Sequence, residues 1–195
     1  MQNIEISNEA NLPTQFGEFK IRSFRETKTT SAVTYTLDHL VIKTPEIPDI
    51  PLVRVHSECL TGDALLSLKC DCGNELHTAL QRIQKEKGIL IYLRQEGRGI
   101  GLFNKVNAYA LQDTGLDTIE ANHQLGFKAD ERTYEMVDFI LNDFGIKGVN
   151  LLTNNPLKLT SIKTKIISRI PIQIAPNKHN KDYLNIKKEQ MGHML

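Results

Sequence analysis

Three cysteines, Cys59, Cys70 and Cys72, fall close together, and the chain has no others. An odd number of thiols clustered in this way argues against a disulfide framework. Thiolates prefer zinc, and three protein ligands leave a fourth tetrahedral position for water or substrate. A water held there ionises near neutral pH and becomes a nucleophile. His56, three residues before Cys59, keeps a second reading open. His-x2-Cys together with Cys-x-Cys could equally form a closed, four-ligand structural site. Three unrelated buried thiols, or an iron–sulfur cluster completed by a non-protein ligand, are the remaining readings.

A second constellation is Arg94-Gln95-Glu96-Gly97-Arg98-Gly99-Ile100-Gly101. Glycines let backbone approach an anion, helix N-terminal amides point at it, and arginines offer paired donors. The gaps match neither the dinucleotide-binding fingerprint nor a P-loop, so a glycine-rich surface turn is the competing reading. Thr153-Asn154-Asn155-Pro156-Leu157-Lys158 could add anion contacts, or could serve only to cap a helix through Asn155. Arg54, His56 and Glu58 alternate along one strand face, which makes either a solvated edge or the wall of a site. A carboxylate there, or at Glu96, could accept from N–H donors of a ligand. Asp130 and Arg132 place an acid and a guanidinium together, with helix capping by Asp130 as the alternative.

The elements that must position these groups follow from periodicity. Phe16–Phe24, Ala32–Ile42 and Leu52–Glu58 read as strands, and Pro45, Pro48 and Pro51 mark a loop between the last two. From Gly73 the apolar spacing becomes helical and stops at Gly88; Ile89–Leu93 is a short buried strand. A helix is expected from Gly101 to Asp113, then a polar loop through His123 to Asp130. Asp130 should cap a helix closed by Gly145. Val149–Leu152 reads as a strand, Asn155-Pro156 as a helix start, Ile166–Ile174 as the last regular segment, and the Lys-rich tail as helical. The fold expected is α/β: a single domain over residues 1–195, with a mixed sheet flanked by helices and an N-terminal antiparallel β portion. The 195 residues carry a net charge of +1, so nucleic acid or a membrane surface is not held by bulk electrostatics. The N-terminal residues lack the pattern of a secretory signal and no apolar run could span a bilayer, so a cytoplasmic location is expected.

Taken together, the segments RVHSECLTGD (54–63), CDCG (70–73), RQEGRGIGL (94–102), EANHQLGF (120–127), ADER (129–132) and LLTNNP (151–156) resemble GTP cyclohydrolase II. The similarity runs from about Leu52 to the terminal MGHML, with residues 1–50 weakly matched. It is the stand-alone form that is resembled, without the dihydroxybutanone-phosphate synthase module fused upstream in bifunctional relatives. The resemblance implies Cys59, Cys70 and Cys72 as ligands of one catalytic zinc per chain. It implies Arg54, Val55, His56, Ser57, Glu58, Glu96, Gly97, Arg98, Thr118, Thr153 and Lys158 as the GTP pocket, with magnesium on the triphosphate. Tyr109, Asp130 and Arg132 would be catalytic, Asp130 as general acid/base. Arg132 is proposed in the family to attack the α-phosphorus, although a permanently protonated guanidinium is better suited to clamping charge. The family often has Gln where this chain has Glu75, a position that touches nucleotide. A homodimer in riboflavin biosynthesis is expected, releasing formate and pyrophosphate from GTP. A zinc-stabilised nucleotide-binding module without turnover, or a zinc-ribbon-type interaction module, are the competing classes. The first would lack Tyr109, Asp130 or Arg132; the second would show four closed ligands and a basic face.

Overall fold

The computed structural model describes residues 3–194. Met1, Gln2 and Leu195, the last residue of MGHML, lie outside the described residues. Five strands come first: β1 (Asn3–Ile6), β2 (Ala10–Thr14), β3 (Gly17–Thr29), β4 (Thr34–Lys43) and β5 (Leu52–Ser57). A short helix α1 (Leu60–Asp63) and the long α2 (Cys72–Glu86) lead to β6 (Gly88–Leu93). A 3-10 turn over Glu96–Gly99 feeds α3 (Gly101–Asp113), followed by α4 (Thr118–Gln124) and α5 (Glu135–Asp143). Then come β7 (Gly148–Leu152), α6 (Pro156–Ser161), β8 (Lys165–Ile170) and α7 (Lys181–Glu189).

The strands form one eight-stranded mixed sheet in the order β1-β3-β4-β6-β5-β7-β8, with β2 also pairing β3. The thirteen-residue β3 is long enough to pair β1 along one half and β2 along the other, both antiparallel. β5 lies between β6 and β7 and runs parallel to both. Such a doubly flanked strand is buried on both faces, and Leu52 through His56 are all buried.

Alternation along β5 and β6 sends side chains to two cores. Val53, Val55, Ile89, Ile91 and Leu93 pack with Met136, Val137, Ile140 and Leu141 of α5. Leu52 and Leu90 pack with Ala79, Leu80 and Ile83 of α2. The helices therefore flank opposite faces of the sheet, as the α/β reading requires. Further along the α2 face of β5 the apolar residues give way to Arg54 and His56, which are 4% and 2% exposed. The solvated-edge reading of that face is thereby excluded.

Some boundaries differ from the sequence expectation. The supposed polar loop before Asp130 contains α4, closed at its start by a capping box in which Asp117 accepts from Glu120 N and Glu120 reaches back to Asp117 N. Asp130 does not cap α5, which starts at Glu135 after Tyr134; its carboxylate is taken by Arg132 instead. The last strand ends at Ile170 rather than Ile174. β4 starts at Thr34, and Val33 and Tyr35 are exposed on the outer part of the β3–β4 hairpin.

Candidate active site

A cavity of about 610 Å³ opens beyond the C-terminal ends of β5, β6 and β7, where parallel α/β sheets place their ligands. The size suits a small-molecule ligand. Three structural units build it: the cysteine turn, the Glu96–Gly101 loop and a cationic wall.

Cys59 follows the end of β5 and precedes α1, while Cys70 and Cys72 bracket the start of α2. Their sulfurs all lie within 4.8 Å of one another, and those of Cys59 and Cys70 are 3.7 Å apart. Thiolates bound about 2.3 Å from zinc at tetrahedral angles sit about 3.8 Å apart, so the spacing fits that ion. Two glycines make the approach possible. A Cβ at Gly62 would fall 2.7 Å from Cys70 Sγ, and one at Gly73 would strike the Gly62 carbonyl. His56 is not part of this group. Its Nε2 lies 3.0 Å from Asp63 Oδ1 and its ring stacks on Tyr92. Asp63 also accepts from the Tyr92 hydroxyl and from Cys59 N. Asp63 thus fixes both the histidine and the backbone of the first cysteine, which excludes the closed four-ligand site of one histidine and three cysteines.

The loop after β6 turns through left-handed backbone at Gly97 (φ 62°), Arg98 (φ 61°) and Gly99 (φ 96°). Two of these positions are open to glycine at no steric cost; Arg98 is held there against its preference. The turn directs Glu96 inward. One of its oxygens accepts from Leu60 N at 2.6 Å, the other from Gly97 N and from the Lys105 ammonium at 2.7 Å. Arg98 lies over the Tyr183 ring and donates to the Ala129 carbonyl. Tyr109, one turn beyond Lys105 on α3, bonds Thr61 through its hydroxyl at 3.3 Å. Burial above all keeps that phenol protonated by raising its pKa.

The third unit is cationic. Arg54 donates to Glu75 at 2.6 Å, Arg132 forks onto Asp130, and Lys187 bonds both oxygens of Asp71. Lys158 donates to the Val55 carbonyl at 2.7 Å. Burial, then the neighbouring Arg54 and Arg132, push the Lys158 pKa well down. Burial likewise opposes charge on Glu75, but Arg54, Lys187, His56 and Lys158 together override it and hold the carboxyl at about 2. His193 is pushed down to about 3, by burial first and then by Lys187, Arg132 and Lys158. Arg54 Nε and Asn155 Nδ2 are buried without a hydrogen-bond partner. A cluster of this kind is satisfied by an anion.

A family model described as GTP cyclohydrolase II matches residues 5–171. The chain belongs to the GTP cyclohydrolase II family. A GTP cyclohydrolase-2 of Campylobacter fetus is 64% identical over 97% of this chain and 95% of its own length. Those of Campylobacter hominis and Helicobacter pylori are each 58% identical, covering 99% and 100% of this chain and 96% and 100% of theirs. A solved two-domain 3,4-dihydroxy-2-butanone 4-phosphate synthase from A. baumannii aligns with a TM-score of 0.43 at 19% identity. It covers 91% of this chain and 41% of that one, a likeness too distant to bear on function.

For a member of the GTP cyclohydrolase II family, the residues expected from sequence are largely brought together. Arg54, His56, Ser57, Glu58, Glu75, Glu96, Gly97, Arg98, Tyr109, Thr118, Arg132, Thr153, Lys158 and the three cysteines all line the cavity. Val55 does not: its side chain lies in the α5-side core, and only its carbonyl reaches the site, through Lys158. Asp130 stands behind Arg132, accepting from its Nε, Nη2 and backbone N–H. Glu58 is paired with Arg94 at 2.8 Å. Asp63, Asp71, Lys105, Tyr183, Lys187 and His193 escaped the sequence reading. Lys105 had a readable signal, since it sits four residues before Tyr109 and so on the same face of α3. Lys187 had none, because its partner Asp71 is 116 residues away.

Proposed function

We propose that the protein is a zinc-dependent GTP cyclohydrolase II that opens the guanine imidazole ring, releasing formate and pyrophosphate and leaving 2,5-diamino-6-(5-phosphoribosylamino)pyrimidin-4-one for riboflavin synthesis. The observation that carries this reading is a single cavity lined by both a three-sulfur cluster and buried, incompletely paired cations. A guanine and a triphosphate need these two chemistries within one molecule's length. Cys59, Cys70 and Cys72 would hold the zinc, which when bound would supply Lewis acidity and an acidified water.

The chain's own residues do the rest. Asp130 is ionised at neutral pH: burial opposes this, but Arg132 and Arg98 overcome it. In the general acid/base role that the family resemblance implies, it would start as the base. Tyr109, a neutral phenol, can donate to or accept from the reacting centre. Arg132 is half-buried and held firmly protonated by Asp130, so it clamps developing charge on phosphate rather than attacking phosphorus. Arg54, Arg98 and Lys158 neutralise the phosphates as pyrophosphate leaves, with magnesium travelling as counter-ion of the triphosphate. Thr118, Thr153 and the 57–58 and 96–97 backbone orient the nucleotide. The near-balanced net charge favours a small-molecule substrate over nucleic acid, and no helix among the described residues is long and apolar enough to cross a membrane. A cytoplasmic homodimer is part of the proposal on the strength of the family resemblance.

The test is zinc content and GTP turnover, followed as formate and pyrophosphate, in wild type and in Cys59→Ser, Cys70→Ser and Cys72→Ser. We expect about one zinc per chain and formate from wild type, with both lost in each variant. Tightly bound zinc without formate from folded wild type would instead point to a structural metal in a nucleotide-binding module.

A further inference from the structure

Lys105 is a buried cation of the site that the reaction scheme leaves without a task. Its side chain is 10% exposed, and an ammonium is not buried at that depth without compensation. Glu96 provides part of it, at 2.7 Å. The same nitrogen also lies 3.1 Å from Cys59 Sγ and 5.7 Å from the centroid of the Tyr109 ring. A lysine serving only to neutralise Glu96 has no need to sit on a sulfur. The arrangement around it is constrained from three sides. Glu96 is fixed by Leu60 N, the amide next to Cys59, and by Gly97 N. A Cβ at Gly97 would press on Lys105 Cβ at 3.1 Å, so the glycine turn leaves room for the lysine stem. The carboxylate, the ammonium and the sulfur form a chain in which each group orients the next.

We propose that Lys105 is a positioning residue for the metal, its ammonium donating to the Cys59 thiolate to offset the surplus negative charge of a three-thiolate site. The inference rests on the reading of the cysteines as zinc ligands. Three thiolates carry one more negative charge than a divalent ion neutralises. That surplus is donated to the metal and weakens it as a Lewis acid. An N–H donor carrying positive charge draws density back from one sulfur. Lys105 acts through Cys59 and not on the substrate, so its loss falls on kcat.

The test uses full-length protein loaded with Co2+, whose sulfur-to-metal charge-transfer absorption reports the charge on the thiolates, alongside zinc-loaded kinetics. In Lys105→Met the charge-transfer band is expected to move to longer wavelength. Zinc-supported kcat should fall about 10–100-fold, while KM for GTP stays within about two-fold. Lys105→Arg should bring both back toward wild type. Circular dichroism establishes folding; if the Met variant does not fold, Lys105→Gln is read in its place by the same criteria. A band unmoved from wild type in the neutral variant overturns the inference whatever happens to kcat, and so does an Arg variant that behaves like the neutral one. The absence of any thiolate band from wild type overturns the metal reading itself, and Lys105 with it. A normal wild-type band unmoved in the variant removes Lys105 alone.

Discussion

Glu75 shows how one side chain can be committed twice. It caps the reach of Arg54 at 2.6 Å and faces Lys158 and Lys187, so it is at once a cavity-lining residue and a counter-charge of the cationic wall. Replacing it by Gln keeps a hydrogen-bond acceptor for Arg54 but removes the charge. The buried guanidinium then loses part of its compensation, at a cost of about 1–3 kcal/mol near neutral pH. The sign with pH follows from the direction of the shift. The folded carboxyl titrates at about 2, below its unfolded value of about 4.3. Its contribution is therefore complete above the unfolded value and disappears as pH falls toward the folded one. Urea unfolding of wild type and Glu75→Gln should differ most above about pH 5 and converge only toward about pH 2. A difference that stays constant across that window would show that shape, not charge, is what Glu75 contributes.

At the scale of elements, the site depends on segments that declare themselves unequally in sequence. β5, β6 and β7 are readable because strands buried on both faces are continuous apolar runs, and the two polar intrusions in β5, Arg54 and His56, are themselves the signal of a site. α6 is readable from Asn155 and Pro156, and Asn155 does accept from Leu157 N. α4 is different. It is short and largely polar, so periodicity hides it, yet Asp117 and Glu120 stand at capping-box spacing. Asp130 erred in the other direction: an acid ahead of an apolar run suggests a cap, but three donors from Arg132 compete better than a helix start. Residues that meet only through tertiary folding, such as Lys187 with Asp71, carry no local trace at all. The capping box makes α4 testable. Asp117→Ala removes the acceptor for Ile119 N and Glu120 N and should cost about 1 kcal/mol in urea unfolding. Because α4 brings Thr118 and Asn122 to the cavity, KM for GTP should rise while the metal content stays at the wild-type level. An unchanged KM would separate α4 from substrate binding.

Across the whole molecule, a net charge of +1 conceals a strong local asymmetry, with Arg54, Arg132, Lys158 and Lys187 gathered around one end of a cavity. Three of these have carboxylate partners, whereas Lys158 donates to a carbonyl. Burial and its cationic neighbours disfavour the Lys158 charge, so the folded chain without an anion carries a destabilising group there. Function and stability are thus set against each other at one residue, and a single substitution should move them in opposite directions. Lys158→Met removes the disfavoured charge while keeping most of the side-chain volume, and the ligand-free variant should melt higher than wild type. Inorganic pyrophosphate, the leaving product in the proposed reaction, should stabilise wild type by mass action, by about 2.7 kcal/mol at a hundred times its Kd. For a chain of this size that corresponds to roughly 5–10 °C in Tm. In Lys158→Met the same titration should give a much smaller rise. Thermal unfolding of the two proteins across a pyrophosphate series measures both effects at once. If the variant melted lower without ligand yet responded fully to pyrophosphate, Lys158 would be a structural tether of β5 and α6, and the anion would be held by the arginines.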